Sequence, residues 1–112
     1  MIFVNSPFEI LDEAFKNLYP EKEYKACFEP ELEDEKGNTV YGFTQFNDGE
    51  TPVIAISAEL TIKDAVEIFA HELAHVAAGA GAGHGETWQQ EFEKIFHEYH
   101  RIGREKFHEQ EG

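Results

Sequence analysis

The first pattern along the chain is an amphipathic helix near the N-terminus. Its large apolar residues recur at helical spacing, at Phe8, Leu11, Phe15 and Leu18. Ser6 stands at an N-cap position, Pro7 suits the first turn, and Glu9 completes a capping box. Pro20 ends the element. We therefore predict a helix that begins at Pro7 and is capped by the Ser6 side chain.

The middle of the chain has the composition of β-strands. Three segments rich in β-branched and aromatic residues lie at Tyr24–Phe28, Thr39–Phe46 and Pro52–Ser57. Turn-forming residues separate them, at Lys36-Gly37-Asn38 and Asn47-Asp48-Gly49. We predict a small antiparallel or mixed sheet of three strands, arranged as a meander.

Two further helices are predicted in the C-terminal half. Thr61 and Asp64 form a second capping signal, and the helix that follows should run to about Gly79. Gly and Ala alternate over positions 79–83, and the last helix should begin near Glu86. Its apolar stripe consists of Trp88, Phe92, Ile95, Tyr99 and Ile102. The fold class is therefore α+β: a helix, a three-stranded sheet, and two more helices.

The first of these two helices contains His71-Glu72-Leu73-Ala74-His75, an H-E-x-x-H motif. Residues four apart lie above one another on a helix, so both imidazoles can reach one ion at about 2 Å. Glu72 lies slightly around the helix, where its carboxylate can contact a metal-bound water as a general base. The motif thus indicates metal-assisted hydrolysis.

The two histidines lie away from the apolar side of their helix. At roughly 100° per residue the apolar positions fall within an arc of about 80°, and His71 and His75 lie opposite that arc. The arc consists of Ile62, Ala65, Val66, Phe69, Leu73 and Val76. Histidines buried in the core would lie inside the arc. The remaining alternative is a pair of exposed helix histidines.

A catalytic zinc site needs a third protein ligand and one open position for water. His84 is the favoured ligand, because it follows His75 by 84 − 75 = 9 residues across a Gly-rich segment that permits a sharp reversal. Position 81 is Gly, which excludes the compact motif with its third histidine six residues after the second. Glu86 and Glu91 on the last helix are the competing ligands.

Residues 52–100 resemble the SprT-like zincin metalloproteases. The signature of that family is H-E-x-x-H followed on the next helix by H-G-x-x-[WF], which His84-Gly85-Glu86-Thr87-Trp88 matches. The resemblance implies a minimal, stand-alone zincin-like domain over residues 1–112 that hydrolyses peptide bonds in a protein or peptide substrate. It assigns Zn²⁺ to His71, His75 and His84, the general base to Glu72, and packing beneath the site to Trp88.

Composition narrows the possible functions. The 112 residues, with ten Phe, suffice for one domain with one core. The net charge of 9 − 23 = −14 would repel a phosphate backbone, so nucleic-acid binding by this domain alone is not expected. Its single cysteine, Cys27, excludes an internal disulfide and the Cys-rich zinc ribbon of larger SprT-like proteins. With no apolar run long enough for a membrane span, a cytoplasmic location is the default expectation.

Three functions remain open from the sequence. Besides a metallopeptidase, the same residues would serve a zinc hydrolase of small amides or esters, or a non-catalytic module in which the ion fixes the last two helices. A purely structural site has no use for Glu72 as a base and would prefer a fourth protein ligand.

Two features of the active-site cleft around the H-E-x-x-H motif are also predicted. We expect the strand Val53–Ser57 to border it and to offer a free edge to an extended peptide. The candidate oxyanion stabilisers are Tyr41, Tyr99, His100 and Arg101.

Overall fold

The fold contains three helices and three strands. The computed structural model describes the backbone of residues 6–111 and the side chains of residues 6–106. In chain order the elements are α1 (Pro7–Leu18), β1 (Lys25–Glu29), β2 (Gly42–Gln45), β3 (Val53–Ser57), α2 (Ile62–Ala78) and α3 (Glu86–Glu111). The predicted α+β class and the order of its elements are confirmed.

The sheet is mixed, and β3 lies in its centre. Strand β1 pairs with β3 in parallel, and β2 pairs with it antiparallel, so the predicted meander is wrong. The central strand is the most apolar of the three: its residues 54–57 are buried, whereas β1 is exposed along its whole length. A strand buried on both faces is most stable between two neighbours, which explains why β3 and not β2 takes the middle position.

The predicted turn at Gly37 forms, but it does not join two paired strands. It closes a small hairpin inside the β1–β2 connection, where Glu33 bridges to Thr39 and the Asp34 amide donates to the Asn38 carbonyl. Gly37 has a φ of +82°, which favours glycine. The chain reverses within this connection, and β1 and β2 end on opposite sides of β3.

Helix α1 begins at Pro7 as predicted, but the predicted Ser6 side-chain cap is wrong. The Ser6 side chain makes no capping hydrogen bond; its carbonyl accepts one from the Ile10 amide. Pro7, at the first helical position, has no N–H, so the first turn contains one amide fewer that lacks an intrahelical partner.

Helix α2 organises the core, because it contacts both other helices as well as β2 and β3. The Thr61 hydroxyl caps it by accepting from the Asp64 amide, as predicted. The predicted apolar arc is buried except for Ile62, which lies in the first turn and is 67% exposed. The buried core that surrounds α2 includes Leu11, Phe15, Ile54, Ile56, Phe69, Leu73 and Ile95.

Helix α3 begins at Glu86, as the sequence predicts, and packs along α2 and α1. Ile95 is buried within the main core that surrounds α2, and Ile102 is buried with Ile10 and Ala14 of α1. Among the described residues, no helix has both the length and the apolar character needed to cross a bilayer.

Candidate metal centre

Three histidine side chains meet at one point on the surface of α2. His71 and His75 lie one turn apart on α2, and His84 comes from the loop before α3. Their Nε2 atoms are 3.3 Å (His71–His75), 3.1 Å (His75–His84) and 3.0 Å (His71–His84) apart. A tetrahedral ion with nitrogen ligands at about 2.05 Å holds those nitrogens about 3.3 Å apart. The triangle therefore has nearly the size of one face of such a coordination shell.

The chemistry of this donor set fits a cation. A proton on any one Nε2 would point into a space that the other two Nε2 atoms already approach, and a neutral imidazole carries only one N–H. Three inward lone pairs repel one another unless a positive charge lies between them. Three imidazoles with one open position are a ligand set that zinc uses in catalytic sites.

Glycines in the α2–α3 loop bring His84 back to α2. Gly79 ends the helix at a φ of +99°, its amide bonded to the His75 carbonyl, and Gly83 has a φ of +58°. Both values lie in the left-handed region, which is open to glycine at little cost. Between them the Ala82 amide donates to the Gly79 carbonyl and tightens the turn. The reversal predicted for this segment is present.

Trp88 packs against all three imidazoles. Its ring centroid lies 4.7 Å from that of His71, 5.6 Å from His75 and 5.1 Å from His84. Its indole Nε1 donates to the His71 carbonyl at 3.1 Å, which satisfies the polar edge of a partly buried ring. Trp88 thus ties the first turn of α3 to the helix that carries the motif.

Burial lowers the pKa of the two histidines on α2. For His71 the main cause is desolvation, followed by the nearby His84; for His75 the causes are desolvation, His71 and His84, and they lower its pKa to about 4. Both rings are therefore neutral at pH 7. Neutral imidazole is the form that binds a metal ion.

Glu72 is buried, with only 5% of its surface exposed, and its carboxylate faces β2. The Thr44 hydroxyl donates to Glu72 Oε1 at 2.9 Å and lies 3.3 Å from the Glu72 carbonyl oxygen. Desolvation raises the pKa of the Glu72 carboxyl above its ordinary value, while the Thr44 hydrogen bond and the nearby His84 act in the opposite direction.

Gly42 allows β2 to approach this part of α2. A Cβ at position 42 would lie 2.5 Å from Ile68 Cγ2, 3.2 Å from the Ala55 carbonyl oxygen and 3.5 Å from Glu72 Oε2. Any side chain there would push the strand away from α2. Neither Gly42 nor Thr44 is predicted as a site residue, because no pattern near the H-E-x-x-H motif indicates a strand almost thirty residues earlier in the chain.

The competing ligands predicted on α3 have other contacts. Glu86 accepts a hydrogen bond from Gln90, and Glu91 accepts one from the Tyr19 hydroxyl and one from Lys94. Neither is part of the His71/His75/His84 cluster. Of the ligands that the sequence left open, the structure brings His84 to the other two histidines.

Most of the oxyanion candidates lie far from the histidines. Tyr99–Arg101 are at least eleven residues beyond Trp88 on α3, which corresponds to roughly 16 Å along the helix axis. Arg101 is bound by Glu98 at 2.7 Å. The remaining candidate, Tyr41, directly precedes β2 and is 61% exposed.

The chain matches no protein-family model and no curated protein sequence. Among solved structures, its fold is similar to the metallopeptidase zymogen of Pyrococcus abyssi abylysin, with a TM-score of 0.56 and 22% sequence identity. The likeness covers 80% of this chain and 79% of that one. The histidine cluster thus lies in a chain whose architecture is shared with that metallopeptidase zymogen.

Proposed function

We propose that this protein is a zinc metallopeptidase of the SprT-like type, with His71, His75 and His84 as metal ligands and Glu72 as general base. The observation that carries the proposal is the triangle of three Nε2 atoms, 3.0–3.3 Å apart, next in sequence to a buried carboxylate. The similarity of the fold to that of a metallopeptidase zymogen supports it.

The residues of the site divide the work of hydrolysis. Three imidazoles would hold Zn²⁺ and leave one coordination position open. When bound, zinc supplies Lewis acidity, which polarises a carbonyl and lowers the pKa of water. Glu72 takes the proton of the attacking water and delivers it to the leaving amine. Because burial raises its pKa, Glu72 is a stronger base than an exposed carboxylate.

The expectation that Val53–Ser57 offers a free edge is wrong, because β1 and β2 cover both sides of it. Strand β2 is the outer strand beside Glu72. The Ser57 amide donates to the Tyr41 carbonyl, so residues 41 and 57 are a hydrogen-bonded pair. Hydrogen-bonded and non-hydrogen-bonded pairs alternate along an antiparallel ladder. The backbone groups of Gly42 and Thr44 therefore face away from β3. We propose that an extended peptide pairs with this edge of β2.

The negative charge of the protein, and of the side chains beside β2 in particular, favours a basic substrate. A groove of about 440 Å³ follows the β2 edge, and its wall includes Glu33, Asp34 and Glu35. Together with the net charge of −14, these carboxylates would attract a peptide that carries Lys or Arg and repel nucleic acid. The proposed substrate is therefore a cationic segment of protein or peptide.

The decisive experiment compares Glu72→Gln with wild type on two matched peptides, one flanked by lysines and one by glutamates. We expect the zinc-loaded wild type to cleave the lysine peptide preferentially. Glu72→Gln should keep its zinc and its circular dichroism spectrum but lose about 10³-fold in kcat, since it can no longer accept a proton. Glu67→Gln, an exposed glutamate on the same helix, is the matched control.

Each alternative function has its own outcome in this experiment. Cleavage of a small chromogenic ester but of neither peptide would identify a non-peptidase zinc hydrolase. Zinc binding without hydrolysis of any of these substrates would identify a metal-stabilised interaction module. Equal peptide cleavage by Glu72→Gln and wild type would refute the role of Glu72 as the base.

A further inference from the structure

We propose that Thr44 is a positioning residue that holds the general base in its working orientation. This inference rests on the proposed function of Glu72. The Thr44 hydroxyl reaches Glu72 from a different element, the outer strand β2, and donates to Oε1 at 2.9 Å. A hydroxyl has one proton to donate, and the carboxylate oxygen at 2.9 Å is the nearer of its two acceptors, since the Glu72 carbonyl oxygen is 3.3 Å away.

The two carboxylate oxygens of Glu72 have different surroundings. Oε1 is bound by Thr44, whereas Oε2 lies toward Gly42, 3.5 Å from the place where a Cβ of that residue would stand. Among the described residues, Thr44 is hydrogen-bonded to Oε1 and no group is hydrogen-bonded to Oε2. We infer that Oε1 is the anchored oxygen and that Oε2 is the one that accepts and releases the proton.

Such an anchor matters because a glutamate side chain has three rotatable bonds and much conformational freedom to lose. A general base must lie within hydrogen-bond reach of the proton that it takes, and small displacements are costly to the rate. One hydrogen bond from a strand fixed by its ladder to β3 restricts the carboxylate without involving any of the three histidines.

A merely structural role for Thr44 is the competing explanation, since its hydroxyl also lies 3.3 Å from the Glu72 carbonyl oxygen and could simply join β2 to α2. The two roles differ in what they change. A positioning role affects kcat, whereas a structural role affects stability and, because β2 is the proposed peptide-binding edge, KM.

The test compares Thr44→Val, which keeps the shape and removes the hydroxyl, with Thr44→Ser, which keeps the hydroxyl. For the zinc-loaded Thr44→Val protein we expect kcat to fall about tenfold, with KM and zinc affinity within about twofold of wild type. Thr44→Ser should restore most of kcat. Thr39→Val, at an exposed threonine, is the matched control. If Thr44→Val does not fold, Thr44→Ala takes its place.

A second readout does not depend on activity. In crystals of the zinc-free proteins, the Glu72 carboxylate should keep one orientation in wild type and Thr44→Ser and leave it in Thr44→Val. An unmoved carboxylate in Thr44→Val, or an unchanged kcat in that variant while Glu72→Gln is inactive, would overturn the inference and leave the proposed function standing. Full activity of Glu72→Gln would refute both.

Discussion

The two sides of the candidate site are built in different ways. The metal-binding side is local: His71, His75, His84 and Trp88 lie within one stretch of the chain, joined by helix spacing and a glycine loop. The side that surrounds Glu72 is assembled at long range, since Thr44 reaches it from β2, 28 residues earlier in the chain. Metal binding and base positioning should therefore be separable by mutation.

The largest separation is expected at His84. Replacing it with alanine removes one of three ligands, so we expect zinc affinity to fall by at least about 100-fold, with the fold retained. A competition titration against a chromophoric chelator measures this loss. Glu86→Gln and Glu91→Gln are matched controls, because their carboxylates contact other residues, and their zinc affinity should equal that of wild type. Undiminished affinity in His84→Ala would show that another ligand completes the site.

The packing of β2 against α2, on the side of the site that surrounds Glu72, is tested at Gly42. An alanine there would place its Cβ 2.5 Å from Ile68 Cγ2, so we expect a loss of about 1–3 kcal/mol in the free energy of unfolding. Urea denaturation of the zinc-free protein measures it, and zinc affinity should change little.

Gly103→Ala is the matched control for Gly42→Ala. Gly103 lies within α3, and an added Cβ there meets no atom within 4 Å. The free energy of unfolding should therefore rise by about 0.5–1 kcal/mol, the usual gain from alanine in a helix. A Gly42→Ala protein as stable as wild type would mean that β2 does not pack closely against α2.

The same contrast explains what the sequence could predict. The starts of the three helices and the approach of His84 follow from Pro7, the Thr61 cap, apolar periodicity and glycine, which all act within a few residues. The order of the strands in the sheet does not follow from such local signals. The turn at Gly37 forms, yet a turn signal states only that the chain reverses and leaves open which strands pair. The contact between Thr44 and Glu72 depends on that pairing, so it was missed.

The smallest effect that we predict is on the pH dependence of stability, in which the two histidines of α2 and the Glu72 carboxyl act in opposite directions. His75 has a pKa lowered to about 4 and His71 a lowered pKa, so the unfolded chain binds more protons than the folded one between about pH 6.5 and pH 4. Their contribution to stability is complete above about pH 6.5 and is lost on acidification through that range. Glu72 has a raised pKa, so its contribution is complete below its ordinary pKa and is lost as pH rises.

In the zinc-free protein we therefore expect Tm to fall by about 3 °C between pH 7 and pH 5, a modest change because partial exposure weakens the shifts. Glu72→Gln removes the opposing carboxyl and should steepen the fall, whereas His75→Gln removes one contributing imidazole and should flatten it. Thermal melts in the presence of a chelator measure all three slopes. Three equal slopes would contradict the opposition, because they would mean that neither His75 nor Glu72 changes its proton affinity when the chain folds.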